Sequence, residues 1–300
     1  MGGLAIFAAF AVAVLVLVPM ERTYAAILLG ALVIVLTGIL DDIFALRWWI
    51  KLFAQVGAGL VVALNGVVIT EMANGDIQFG VWAVPFTVLW IVAITNAINL
   101  LDGLDGLACG IIAISCVSLL IVSSLYIDPQ YGSVMTIIAA LAGACFGFLP
   151  HNIHPAKIFM GDTGAMFIGF TFSVIAIQGF FKLNALVSFG VPFLVLGLPI
   201  LDTLLAIVRR AAKGQHFFQP DRSHLHHKMM EWGFNHKQTV WLMYATSAAL
   251  GVAAVLFALR RFAAFTIVLL VALGAGVVLI RLQTNKLARE KEKAEAGNEE

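Results

Sequence analysis

Residues 24–42 read YAAILLGALVIVLTGILDD. A helix needs roughly 20 mainly apolar residues to cross a bilayer, and this run supplies such a stretch before it ends on Asp41 and Asp42. Adjacent carboxylates at the end of an apolar helix repel each other, so a cation or a shared proton should accompany them. The plain alternative is a solvated helix end.

The rest of the chain repeats the pattern. Of 300 residues, 61% are hydrophobic and 12% charged, with mean hydropathy +0.99. A soluble domain carries roughly 25% charged residues, so water is not the main solvent here. Ten apolar stretches are long enough to be candidate spans: 4–18, 24–40, 48–70, 81–101, 107–127, 133–149, 165–181, 185–208, 239–259 and 262–280. The expected fold is an all-α polytopic transmembrane bundle over residues 1–280. Residues 281–300 (RLQTNKLAREKEKAEAGNEE) are charged and lack apolar periodicity, which predicts a disordered or frayed soluble tail. Met1-Gly2-Gly3 leads into an apolar stretch without a basic n-region, so the start does not read as a cleavable signal peptide.

Basic residues favour the cytoplasmic side of a membrane protein. With ten spans, Arg47, Lys51, Lys157, Arg209, Arg210, Lys213, Arg222, Lys228, Lys237 and the basic tail residues share one side. Only Arg22, Lys182, Arg260 and Arg261 lie on the other. Both termini are therefore expected in the cytoplasm. All 7 histidines fall on that side, as do Asp41, Asp42, Asp102, Asp105, Asp162 and Asp221. Reactive groups gathered on one face suggest a site. The net charge of +1 comes with no basic arm, so nucleic acid is not an expected partner. Cys109, Cys116 and Cys145 lie in apolar runs and read as packing residues without a disulfide framework.

Four further segments carry candidate chemistry. The span at 81–101 ends in Asn96, Asn99, Asp102 and Asp105, polar groups every third residue along one helix face that should border a polar cavity. Gly103 and Gly106 let backbone come close to a ligand and end the helix. In His151-Asn152-Ile153-His154-Pro155-Ala156-Lys157-Ile158-Phe159-Met160-Gly161-Asp162, the last residue stands where a helix N-cap belongs. The same helix start suits phosphate oxygens, and a carboxylate there suits Mg²⁺. In Asp221-Arg222-Ser223-His224-Leu225-His226-His227-Lys228, Ser223 could cap a short interfacial helix presenting Leu225, Met229 and Trp232. Its histidines suit phosphate binding or proton transfer better than zinc, because two His at i and i+2 point apart. Pro192 and Pro199 should break their span, and the intramembrane Asp202 needs a partner, with Arg209 and Arg210 as candidates.

At these residues the sequence resembles the polyprenyl-phosphate N-acetylhexosamine-1-phosphate transferase family. The resemblance rests on ILDD at 39–42, NLLDGLDGLA at 99–108, NIHPAKIFMGDTGAMFIG at 152–169 and DRSHLHH at 221–227. The His-Leu-His-His form, with Ala45 in place of a lysine, resembles the branch using UDP-N-acetylglucosamine more than the muramyl-pentapeptide branch. Relatives usually begin with another span and a basic loop before the position of Met1-Gly2-Gly3, so the resemblance implies a chain shortened at its start. It further implies transfer of a sugar-1-phosphate from a UDP-sugar to a polyprenyl phosphate, with loss of UMP and with Mg²⁺ or Mn²⁺ as cofactor. The implied catalytic residues are Asp41, Asp42, His226 and His227. Asn99, Asp102, Asp105, Asn152, Phe159 and His224 are implied for the nucleotide and substrate, and Asp162 and Asp102 for the metal. A homodimer is an allowed assembly. A cation-coupled transporter is the rival of another class, and an inactive scaffold a third reading. The transporter would need polar groups through the full membrane depth and inverted repeats, and neither is visible in the sequence.

Overall fold

A computed structural model describes residues 2–72, 77–126, 132–180, 185–212 and 224–296. In chain order the helices are α1 (Gly2–Leu17), α2 (Arg22–Phe44), α3 (Trp48–Ala63), α4 (Ala83–Leu101), α5 (Leu107–Tyr126), α6 (Gly132–Asn152), α7 (Gly161–Phe180), α8 (Ala185–Val195), α9 (Gly197–Ala212), α10 (Leu225–Glu231), α11 (His236–Ala258) and α12 (Phe262–Ala296). Two strands of two residues each, β1 (Glu71–Met72) and β2 (Ile77–Gln78), form an antiparallel hairpin between α3 and α4.

Among the described residues, six helical stretches are long and apolar enough to cross a membrane: Arg22–Phe44, Gly80–Leu101, Leu107–Tyr126, Gly132–Asn152, His236–Ala258 and Phe262–Leu287. Two shorter apolar helices, Gly2–Leu17 and Trp48–Ala63, accompany them. Large apolar side chains such as Val16, Phe53, Leu89, Trp241 and Leu273 point outward. That outer surface is suited to lipid, and the chain is a multi-pass membrane protein.

The bundle is organised around α7, which packs against α1, α2, α4, α5, α6 and α8. From Thr163 to Ile177 every side chain of α7 is buried. A helix that is apolar on all sides belongs in the middle of a bundle, and Phe167, Phe170 and Phe172 fill it without exposure.

Four segments show how the expected elements are realised. The stretch 48–70 yields a helix only to Ala63: Asn65 donates its side-chain amide to Val61 O at 2.7 Å, and Gly66 takes φ +105°. The stretch 185–208 is split into α8 and α9 at Leu196, as Pro192 and Pro199 predict. Pro199 has no N–H for the carbonyl of Val195, and Ser115 Oγ of α5 donates to that oxygen instead at 3.2 Å. The segment expected as a separate tail continues α12 through Ala296. Finally, the apolar face of α10 turns inward: Met229 is buried, and Leu225 and Trp232 pack against the protein core. Ser223, the expected cap of α10, lies outside the described residues together with Asp221 and Arg222.

Candidate active site

The ends of α2, α4 and α6 and the starts of α3, α5 and α7 meet at one end of the bundle. The start of α1 is there too, since the Gly2 and Gly3 amides donate to Phe159 O and Met160 O, each at 3.1 Å. So is the far part of α12, where Gln283 Nε2 donates to Gly233 O at 2.6 Å.

Asp41 and Asp42 have different partners. Asp41 Oδ1 accepts the Leu46 N–H at 2.7 Å, and Oδ2 pairs with Lys51 Nζ at 2.8 Å. Asp42 reaches across to α7. Its Oδ1 accepts the Asp162 N–H at 2.8 Å, and its Oδ2 accepts Thr163 Oγ1 at 2.6 Å and Thr163 N–H at 3.3 Å. The first turn of any helix leaves amides without partners and favours a negative charge. Asp42 supplies both from a neighbouring helix. Gly38, one turn earlier, makes the approach feasible: a Cβ there would lie 2.4 Å from Thr163 Cα. The expected cap, Asp162, instead sits inside the first turn of α7, which begins at Gly161.

Freed from capping, the Asp162 carboxylate faces other groups. Asn99 Nδ2 donates to its Oδ1 at 3.2 Å, and Lys51 Nζ lies 2.9 Å from its Oδ2. Lys51 thus bridges Asp41 and Asp162. From the sequence alone, Lys51 reads only as one of the basic residues that orient the chain. The available signal was a lysine in the first turn of an apolar helix, which is costly unless paired.

Next to this pair lies a cavity of about 260 Å³ lined by Asp102, Asp105, Asn152, Phe159 and Asp162. Burial, followed by the charges of Asp162, Asp105 and Asp42, pushes the Asp102 carboxyl up to about 7. Asp105 behaves oppositely. Burial raises it, but His154 Nδ1 at 2.8 Å and the Ala156 N–H at 3.1 Å outweigh burial and hold it below the usual range. Asn152 is buried with both ends of its amide used: Oδ1 accepts Gly106 N–H at 3.0 Å, and Nδ2 donates to Ile158 O at 3.0 Å. It fastens the turn after α4 to the loop before α7. Phe159, 68% exposed, forms part of the cavity wall. The oxygen donors of Asp102 and Asp162 are the kind that a hard divalent cation takes.

His224 stands at the N-cap of α10, and His226 and His227 lie within its first turn. His224 Nδ1 lies 3.0 Å from Asp202 Oδ2, and the Leu225 N–H donates to Asp202 Oδ1 at 2.8 Å. Among the described residues, His224 and the Leu225 amide are thus hydrogen-bond partners of Asp202, for which the sequence offered Arg209 and Arg210 as candidates. His226 is 1% exposed and packs on Gly103, where a Cβ would lie 2.3 Å from its Nε2. Gly103 therefore makes room for a histidine of the protein itself. Burial, then the neighbouring His227, lowers His226 to about 4, so it is neutral at physiological pH. Its ring lies 4.2 Å from that of His227, which is partly exposed. Among the described residues, the lining of the cavity includes none of His224, His226 and His227.

Comparison with known proteins bears on this arrangement. Residues 24–180 match the model of "Glycosyl transferase family 4". The chain is 37% identical over 260 residues to a "Probable undecaprenyl-phosphate N-acetylglucosaminyl 1-phosphate transferase" of Bacillus subtilis (strain 168), covering 85% of this chain and 72% of that one. It is 34% identical over 275 residues to a "Decaprenyl-phosphate N-acetylglucosaminephosphotransferase" of Mycobacterium tuberculosis (strain ATCC 25618 / H37Rv), covering 81% and 68%. A "Phospho-N-acetylmuramoyl-pentapeptide-transferase" of Pelotomaculum thermopropionicum (strain DSM 13744 / JCM 10971 / SI) is 32% identical over 213 residues, covering 70% and 62%. The matched family segment carries all of Asp41, Asp42, Lys51, Asn99, Asp102, Asp105, Asn152, Phe159 and Asp162, and by these matches the chain belongs to glycosyl transferase family 4 and is an enzyme of the phosphotransferase kind.

Proposed function

We propose that the protein transfers N-acetylglucosamine-1-phosphate from UDP-N-acetylglucosamine to a polyprenyl phosphate such as undecaprenyl phosphate, releasing UMP, as the first membrane step of a cell-surface glycan. The observation that carries the reading is the Asp102–Asp105–Asp162 cavity at a helix end, beside a lysine-bridged carboxylate pair. The names of the Bacillus subtilis and Mycobacterium tuberculosis relatives support the sugar-phosphate and polyprenyl phosphate classes. A ten-span arrangement with both termini in the cytoplasm would put the cavity at the inner leaflet, and the distribution of Lys and Arg supports that orientation.

Both substrates are anions, and the site already concentrates carboxylates. Lys51 offsets part of that charge, so a cation has to supply the rest before two phosphates can meet. Asp162 and Asp102 would hold Mg²⁺, or Mn²⁺ in its place. When bound, this ion neutralises diphosphate oxygens and the charge growing on the departing UMP.

The chain's own residues do the positioning. In the transfer, an oxygen of the lipid phosphate bonds to the sugar-bearing phosphorus while the bond from that phosphorus to the UMP oxygen breaks. Phe159 would stack on the uracil at the cavity mouth. Asn99 fixes the Asp162 carboxylate, and Asn152 holds the turn bearing Asp102 and Asp105 against the loop bearing Phe159. Asp42 is a positioning residue, because its oxygens hold the start of α7. Among the described residues, Asp41, paired with Lys51, makes no contact with the α7 amides, and it would accept a proton from the lipid phosphate. His227, the more exposed histidine of the pair, would donate a hydrogen bond to phosphate, and the neutral His226 would orient it.

The test is release of UMP from UDP-N-acetylglucosamine by purified protein supplied with polyprenyl phosphate, with and without Mg²⁺. Release that requires both the lipid and the divalent ion supports the reading. Folded protein that releases no UMP under those conditions rejects it.

A further inference from the structure

A second cluster of ligating side chains lies on the other side of Asp105. One donor atom each from Asp105, His154 and His236 lies within 4.8 Å of the other two. The rings of His154 and His236 are stacked, with centroids 4.1 Å apart. Beside them is a cavity of about 30 Å³, walled by Val240, Trp241 and Tyr244. That volume is too small for a nucleotide, yet it exceeds the roughly 10–15 Å³ that a single water needs. His236 Nε2 is buried and has no hydrogen-bond partner among the described residues. A buried ring nitrogen without a partner is costly, and the proposed Mg²⁺ site gives it no role.

We infer that Asp105, His154 and His236 form a separate site for a transition-metal ion of the Zn²⁺ class, which fastens the turn after α4, the loop before α7 and the start of α11 to one another. Two imidazoles and one carboxylate are a zinc-type donor set, with water as the fourth ligand. Tetrahedral bonds of zinc length place donor atoms about 3.4 Å apart, so the side chains close by at most about 1.4 Å. The supporting segments are already tied down by hydrogen bonds. Asp105 is held by the Ala156 N–H. Its turn is pinned at Gly106 by Asn152 Oδ1 and by Tyr244 OH at 2.5 Å. His236 is the first residue of α11 and follows a complete capping box between Asn235 and Gln238. Hard, oxygen-seeking Mg²⁺ is disfavoured here, because there is a single carboxylate and Lys237 lines the same cavity.

The inference does not rest on the transfer reaction, and its test is a binding measurement. Purified protein in detergent, stripped with chelator and kept in millimolar Mg²⁺ to mask the Asp162 site, is titrated with Zn²⁺ against a chromophoric chelator. One equivalent of Zn²⁺ should bind and should raise the thermal midpoint. His236→Gln and His154→Gln should each weaken binding by more than the roughly 10- to 100-fold that outer contacts to a metal are worth, while His151→Gln should bind as the wild type does. X-ray absorption on the Zn²⁺-loaded wild type covers the case of a histidine variant that does not fold, and should give an all-N/O shell with imidazole scattering. Absence of Zn²⁺ binding in competition, unchanged affinity in both folded histidine variants, or a shell without imidazole would each overturn the assignment.

Discussion

Thr163 Oγ1 donates a hydrogen bond to Asp42 Oδ2 at 2.6 Å, joining the end of α2 to the start of α7 across 121 residues of sequence. The Asp162 and Thr163 amides bond to the same carboxylate. Asp42 is thus a helix cap supplied from a distance, and the cap leaves the Asp162 side chain available. Losing a helix cap typically costs about 0.5–2 kcal/mol. Asp42→Ala should therefore lower stability by about that much as well as activity. Asp41→Asn should reduce turnover with a smaller change in thermal midpoint. Thermal unfolding and UMP release on the two purified variants check the split, and equal stability losses would contradict it.

Lys51 Nζ occupies one oxygen of Asp162, and its charge opposes a cation at that carboxylate. Lys51→Met should lower turnover while tightening Mg²⁺ binding, since a competitor and a positive charge are both removed. Mg²⁺ titration of the metal-free variant by calorimetry measures this. Weaker Mg²⁺ binding in Lys51→Met would show that the lysine supports the cation rather than opposing it.

The pH dependence of metal binding follows from Asp102. Its carboxyl is pushed up to about 7, so below that pH the group is largely protonated and above it charged. A divalent ion needs the charged form. Mg²⁺ affinity should therefore rise between roughly pH 6 and pH 8, and Asp102→Asn should flatten that rise. A flat wild-type profile would remove Asp102 from the metal's surroundings.

Phe159 is exposed at the cavity wall. Stacking of a base on an aromatic ring is worth roughly 1–3 kcal/mol, so Phe159→Ala should raise KM for UDP-N-acetylglucosamine about fivefold or more. Phe159→Tyr should restore most of the loss. KM unchanged in Phe159→Ala would place the base elsewhere.

Much of the architecture is legible in the sequence because membrane helices are read from local apolar runs. The break at Pro192 and Pro199 is local in the same way, since the missing N–H of Pro199 is a property of the residue itself. The gathering of Asp102, Asp105, Asn152, Phe159 and Asp162 around one cavity matches residues singled out from their motifs. What the sequence leaves hidden depends on contacts between distant segments. No pattern near Asp42 says that its partners are amides 120 and 121 residues away. The pairing of Asp202 with His224 joins positions 22 residues apart, whereas Arg209 and Arg210 were the nearest charges along the helix. Lys51 was visible as a charge, but its role as a bridge needs both α2 and α7 in place. The shortening of the 48–70 stretch turns on Asn65, whose Oδ1 also accepts from Arg22 Nε at 2.7 Å, a contact across 43 residues.

The most direct test of the catalytic centre is UMP release by Asp162→Asn, measured beside wild type at saturating Mg²⁺, UDP-N-acetylglucosamine and polyprenyl phosphate. The exchange keeps side-chain volume and leaves the Asp42 cap on α7 in place. The variant should fold with a near-normal thermal midpoint and release almost no UMP. Near-normal turnover by that folded variant would contradict a centre built on the Asp162 carboxylate.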